Sequence, residues 1–217
     1  VCIKEAKKFE DKDFGPQDDD EHGAKSLYGD PPKKPGTAGS SKYPDPQKLR
    51  WARPEYRREV PGGSQTALDG DDEVNSSEDE DMAGFGSDDD NNTGAVDASW
   101  CKNGALFLDG TSSGDVVQGT LGDCWYLGAL SVLATRESEL RRCFWPPEKP
   151  DMYRDQGLFV CRFYKDGAWQ YVIIDDKIAV FGDSDGIPAF ARCREPNELW
   201  VCLLEKAYAK LFGCYKN

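Results

Sequence analysis

Residues 118–133 read QGTLGDCWYLGALSVL, in which a glycine-bearing turn hands over to Cys124 and Cys124 opens an apolar segment. A cysteine placed there can act as a nucleophile. A helix N-terminus offers free backbone N–H groups and roughly half a unit of positive charge, and both favour the thiolate. The same N–H groups can face the oxyanion that forms when a thiolate attacks a carbonyl. Gln118, upstream across the turn, carries a side-chain amide able to donate beside them. The contrary reading is a buried, inert thiol, the commoner fate of free cysteines. A thiol nucleophile also needs a base, ordinarily histidine, and His22, far from the motif, is the one histidine in the chain. On these residues alone both readings stand.

The elements that position Cys124 are legible from Ser99 onward. Cys124–Ala134 is apolar on nearly every face, with Trp125, Leu127, Leu130, Val132 and Leu133, which predicts a buried helix. A polar helical turn, RESELRRCF, is stopped by Pro146 and Pro147. GLFVCRFY (157–164) and AWQYVIID (168–175) alternate around KDG, which predicts a β-hairpin with Phe159, Cys161 and Phe163 on one face and Trp169, Tyr171 and Ile173 together. A short strand is expected around 188–192. Asn197 is placed to N-cap a last helix with Glu198 in its first turn. Trp200, Leu203, Leu204, Ala207, Tyr208 and Leu211 form its apolar stripe, and Gly213 sits at its end. Residues 99–217 therefore read as an α+β unit: buried helix, small antiparallel hairpin, amphipathic helix.

Residues 1–98 read differently. The chain of 217 residues carries a formal net charge of −13, and residues 1–98 hold 24 acidic against 13 basic side chains. Residues 30–46 have Pro/Gly/Ser linker composition, and residues 68–92 are an acidic run with almost no large apolar side chain. Such a segment cannot bury enough surface to offset chain entropy, so 1–98 is expected to be a disordered acidic region. Within it KLRWARPEYRRE (48–59) reads as a solvated basic linker, with a short docking helix as the alternative. The acidic balance argues against nucleic acid and anionic membrane surfaces as main partners. No apolar run in the sequence reaches membrane-spanning length, so no membrane span is expected, and no secretion signal is in view. The first residue is Val1, so the chain is expected to be a piece of a longer product.

Eight cysteines lie singly, without C-x-x-C spacing or a neighbouring histidine. That argues against zinc and for a reducing cytosol. Asp69, Asp71, Glu73 and Glu80 fall at EF-hand spacing, but Val74 stands where the loop needs glycine, so no EF-hand is assigned. DSDG (183–186) reads as a loop, and Asp175 and Asp176 read as structural carboxylates at a strand end. Ser77 and Ser87, each followed by acidic residues, fit acceptors for an acidophilic kinase.

QGTLGDCWYL resembles the active-site segment of the calpains, papain-like intracellular cysteine endopeptidases. WQYVIIDD (169–176) is similar to that family's hairpin ending in paired Asp, and NELWVCLLEKAYAKLFGCY (197–215) to the segment closing its first catalytic subdomain. The likeness covers about residues 99–217 and is nearest to protist- or plant-like members. Papain-fold deubiquitinases also start a helix with Cys, but with an Asn-x-Cys-type lead. The resemblance implies a papain-like fold of which this chain holds the nucleophile-bearing subdomain. Cys124 takes the nucleophile position, Gln118 the oxyanion-hole position, and Trp125 the aromatic beside the nucleophile. It also implies a Ca²⁺ site formed by the carbonyls of Leu108 and Gly110 with Asp115 and Glu198. The family's His and Asn belong to a second subdomain that would begin after Asn217. The chain is accordingly expected to be inactive alone, and that missing subdomain and protein substrates are its expected partners. The expected activity is calcium-dependent limited proteolysis in the cytoplasm. The rivals are a calpain-like scaffold that no longer cleaves and a binding module working through its acidic tail.

Overall fold

The computed structural model describes residues 7–15, 26–27, 44, 48–56, 101–182 and 186–215. The acidic run, the EF-hand-like spacing at 69–80, Ser77, Ser87 and most of the 183–186 loop lie outside the described residues.

The elements run β1 (Leu49–Ala52), β2 (Val116–Val117), α1 (Cys124–Ala134), α2 (Glu137–Arg141), β3 (Leu158–Lys165), β4 (Ala168–Asp175), β5 (Ile178–Phe181), β6 (Arg192–Cys193) and α3 (Trp200–Phe212). Three two-stranded antiparallel sheets, β1–β5, β2–β6 and β3–β4, pack with the helices, so the fold is α+β. The β3–β4 hairpin is the predicted one, in register from Leu158↔Asp175 to Lys165↔Ala168. Asp166 and Gly167 both have positive φ, 53° and 80°, the pair that a two-residue hairpin loop with native twist requires. Phe159, Cys161, Val172 and Ile174 are buried beneath it, while Trp169, Tyr171 and Ile173 face outward.

The two main helices exchange the roles that their sequences suggest. On α1, Tyr126, Leu127, Leu130 and Ala134 are buried, but Trp125 and Val132 are 61% and 72% exposed. The helix that is apolar all round is therefore a half-exposed one. By contrast α3 is buried from Trp200 through Ala207, Glu205 and Lys206 included. It is flanked by two apolar clusters. One joins α1, the hairpin and the start of α3, and the other joins Leu49, Leu121, Ala179, Phe190, Ala209 and Tyr215. Full burial of each large side chain there contributes about 1.5–3 kcal/mol. The predicted N-cap also moves: α3 begins at Trp200 with Leu199 as cap. Asn197 lies instead in a turn closed by Glu198 N–H to the Glu195 carbonyl at 3.0 Å, and Glu198 bridges Ala105 in parallel.

The expectation of disorder does not hold for the described parts of 1–98. Leu49–Ala52 pairs antiparallel with β5, from Leu49↔Phe181 to Ala52↔Ile178, so 48–56 is neither a solvated linker nor a helix. Leu49 and Ala52 are buried by the pairing, and β5 supplies the hydrogen-bonding edge. Carboxylates bind this layer down. Asp175 pairs with the buried Lys206 at 2.5 Å and accepts the Asp11 N–H at 3.0 Å. Asp176 is bound by the Arg53 guanidinium and by Tyr56 Oη at 3.0 Å, and Asp11 pairs with Lys210 at 2.7 Å. The structural reading of Asp175 and Asp176 agrees with these bonds. Among the described residues, no helix is long and apolar enough to cross a membrane.

Candidate functional site

Cys124 is the first residue of α1 and is exposed, alone in that respect among the described cysteines. Cys101, Cys161, Cys193, Cys202 and Cys214 are buried and Cys143 is half-buried; all are free thiols. Burial pushes the Cys101 thiol up to about 12 and raises Cys161 and Cys193 as well, so these sulfurs stay protonated. Cys124 is the accessible thiol, and its own N–H and that of Trp125 precede the first bonds of α1, which run from Tyr126 and Leu127 N–H to the Asp123 carbonyl at 2.8 and 3.1 Å.

The loop ahead of it is stapled in place. Gly119 packs on the Phe190 backbone so closely that a Cβ would lie 2.2 Å from the Phe190 carbonyl oxygen. Only glycine fits there. Thr120 bonds the Ala189 carbonyl twice, from N–H at 3.1 Å and from Oγ1 at 2.7 Å, and Leu121 is buried among Ala189 and Phe190. Gln118 Nε2 donates to the Leu121 carbonyl at 2.7 Å. One amide hydrogen thus closes the turn between Gln118 and Cys124, and the nitrogen keeps a second hydrogen for another acceptor. Tyr126 Oη donates to the Leu204 carbonyl at 3.1 Å, fixing α1 on α3. Trp125 stays largely exposed, its ring edge-on to Tyr126 and Tyr208 at 5.8 Å each.

The expected metal-binding residues gather at the other end of the β2–β6 pair. Leu199 N–H bonds the Ala105 carbonyl and Ala105 N–H the Asn197 carbonyl, which lays the 105–115 loop beside Glu198. Glu198 is buried and accepts the Leu108 N–H at 3.0 Å. Its pKa is pushed up to about 7, chiefly by burial and further by the charge of Asp115. Asp115 accepts from Ser112 N–H and Oγ at 2.5 and 2.9 Å. Asp109 and Gly110 both have positive φ, 50° and 89°. The structure therefore brings Leu108, Asp115 and Glu198 together, with Gly110 exposed in the same loop. The Leu108 contact is through its N–H. Among the described residues no three His, Cys, Asp or Glu side chains gather to hold a metal; the two carboxylates here would need backbone oxygens to complete a shell.

Sequence reasoning missed two features of the site. The Thr120–Ala189 staple has no local signal, because its partner lies 69 residues away. The meeting of Asp123 with Glu205 joins a turn to a helix position outside the expected apolar stripe, 82 residues away.

An exposed thiol at a helix start, behind a glycine-locked turn, is an arrangement a cysteine nucleophile can use. The sequence model of the calpain family cysteine proteases matches residues 96–217, just over half of the chain, and the chain belongs to that family. The maize calpain-type cysteine protease DEK1 is 46% identical over 122 residues, covering 56% of this chain and 5% of the relative. Mouse calpain-5 is 41% identical over 123 residues, covering 54% and 18%, and the mouse calpain-2 catalytic subunit 37% over 116 residues, covering 54% and 16%. The chain thus spans less than a fifth of the length of each of these relatives.

Proposed function

We propose that this chain carries the nucleophile-bearing subdomain of a papain-like, calcium-dependent endopeptidase. The observation that supports this best is Cys124 itself: exposed, first in an eleven-residue helix, and set in a segment of calpain-family sequence. In this reading the Cys124 thiolate attacks the carbonyl carbon of a peptide bond. Negative charge moves to the carbonyl oxygen, where the Cys124 N–H and the second Gln118 amide hydrogen receive it. The C–N bond then breaks, and the amine leaves with a proton from a histidine in the rest of the longer protein. Water hydrolyses the thioester, releasing the acid and restoring the thiol. Histidine and Asn would come from a second subdomain, without which this segment does not cleave. Among the described residues seven cysteines are free thiols, five of them buried, which fits a reducing compartment, and we place the protein in the cytoplasm.

The residues at the β2–β6 end fit Ca²⁺. Asp115 and Glu198 are hard oxygen donors whose mutual repulsion a cation relieves, and the carbonyls of Leu108 and Gly110 are the same donor type. When bound, the ion would neutralise those carboxylates and tie the 105–115 loop to the start of α3.

The test is cleavage of an unstructured protein such as casein by the longest natural product containing this segment. Calcium-dependent cleavage is expected, lost in Cys124→Ser and strongly weakened in Asp115→Ala. Cleavage that persists in Cys124→Ser overturns the mechanism, and a wild type that never cleaves selects the scaffold reading.

A further inference from the structure

Directly behind Cys124 two carboxyl groups meet. Asp123 is the N-cap residue of α1, yet its side chain makes no capping bond to the first turn. It turns inward to Glu205 on α3, and the two line one recess with Leu121, Tyr126, Tyr208 and Tyr215. Glu205 is 4% exposed, and both its oxygens accept the Ala191 N–H, at 3.2 and 3.0 Å. Asp123 Oδ1 is buried and has no hydrogen-bond partner among the described residues. The titratable groups facing Glu205 are Asp123 at the start of α1, Tyr126 within α1, Cys202 on α3 and Tyr215 beyond it, and none is a cation. The nearby Arg192 on β6 acts on Cys202. Trp125, Ala209 and Cys214 also line the recess.

We propose that Asp123 and Glu205 hold one proton between them, and that this pair is a positioning device for Cys124. Two desolvated carboxylates without a counter-cation cannot both ionise. Burial drives the Glu205 pKa well above its usual value and raises that of Asp123 too, so Glu205 keeps the proton and donates it to Asp123. The benefit lies at the helix start. An aspartate at an N-cap ordinarily bonds the first-turn N–H groups. Held by Glu205, Asp123 leaves the Cys124 and Trp125 N–H groups open for the thiolate and for an oxyanion, while the Tyr126 N–H bonds the Asp123 carbonyl, and the charge behind the thiol stays at one. This inference rests on the reading of Cys124 as the nucleophile.

Two variants of the full chain test it. Glu205→Gln keeps a donor for Asp123 and an acceptor for Ala191 N–H but cannot ionise; Glu205→Leu removes both. Iodoacetamide alkylation at Cys124, read by peptide mass spectrometry at pH 7, is expected to stay within about twofold of wild type in Glu205→Gln. In Glu205→Leu it should fall about tenfold, because Asp123 then turns to cap the helix start and its charge disfavours the thiolate. Equal rates in wild type and a folded Glu205→Leu overturn the positioning role. The shared proton is tested by melting. Glu205 has a raised folded pKa, so its wild-type contribution is complete below about pH 4.5 and is lost as pH rises toward the folded value. Glu205→Gln should therefore match wild type near pH 4.5 and exceed it by a margin that grows with pH. A margin that does not change with pH overturns the shared proton. This melting comparison does not involve Cys124, so it separates failure of the pair from failure of the nucleophile reading, which the Cys124→Ser cleavage test decides.

Discussion

Replacing Lys206 with methionine isolates the electrostatics that hold the two layers of this fold together. Lys206 is fully buried, and its Nζ donates to Asp175 Oδ1 at 2.5 Å, to the Asp175 carbonyl at 3.2 Å and to the Lys177 carbonyl at 2.6 Å. It also lies over the Trp51 ring, 5.2 Å from its centre, so it links β1, β4 and α3. Methionine nearly fills the volume, which leaves little cavity to account for. What remains is an Asp175 carboxylate 2% exposed and stripped of its cation. It keeps two backbone donors, Asp11 N–H at 3.0 Å and Lys177 N–H at 3.1 Å. Stranding one member of a buried pair costs about 3–5 kcal/mol, and the retained donors put this case near 3. The two carbonyls that lose their donor add about 1 kcal/mol between them after partial rehydration, for a total of about 4. In a unit of this size that lowers Tm by roughly 15 °C. Adding Asp175→Asn removes the stranded charge, so the double variant should recover about half of the loss, about 2 kcal/mol relative to Lys206→Met. Thermal melts followed by circular dichroism give all four corners of the cycle. A double variant no more stable than Lys206→Met, or a single variant melting within about 2 °C of wild type, refutes the reasoning.

Gly119→Ala should destabilise the chain by about 1–3 kcal/mol, since its Cβ must push the Phe190 backbone away. It should also slow Cys124 alkylation by shifting the turn, which urea titration and peptide mass spectrometry would measure together. Glu198 has a folded pKa of about 7 against a usual 4.5, so its contribution to stability is complete below about pH 4.5 and is lost as pH rises through about 7. Urea midpoints measured without metal should fall across that window in wild type, and more shallowly in Glu198→Gln. Equal slopes contradict the assignment of the shift.

The local patterns carried into the structure where neighbours in sequence decide the outcome. The hairpin is an example: alternation and Asp166-Gly167 set its strands, turn and register. Cys124 at the start of a helix is another, legible from the glycine turn and the apolar run. Burial of whole helices was not, because it depends on what packs from afar. The apolar α1 leaves Trp125 and Val132 exposed, while α3, with Glu205 and Lys206 on what looked like its polar side, is enclosed. Each of those charges is matched by a group distant in sequence, Asp123 for one and Asp175 for the other. Strand β1 hid for the same reason. KLRWARPEYRRE reads as basic linker until β5 supplies an edge and Asp176 receives Arg53. At the candidate calcium site, the resemblance brought Leu108, Asp115 and Glu198 to attention, but no local pattern shows that the Leu108 N–H binds Glu198.

The proposed role of Cys124 as the thiol that attacks substrate is open to direct test. The most direct measurement treats the longest natural product containing this segment with a peptidyl epoxide and calcium, then maps the adduct by mass spectrometry. The account expects one adduct, on Cys124, that is absent in Cys124→Ser and reduced in Gln118→Ala. An adduct on another cysteine, or labelling of Cys124 no faster than in the urea-unfolded chain, would contradict it.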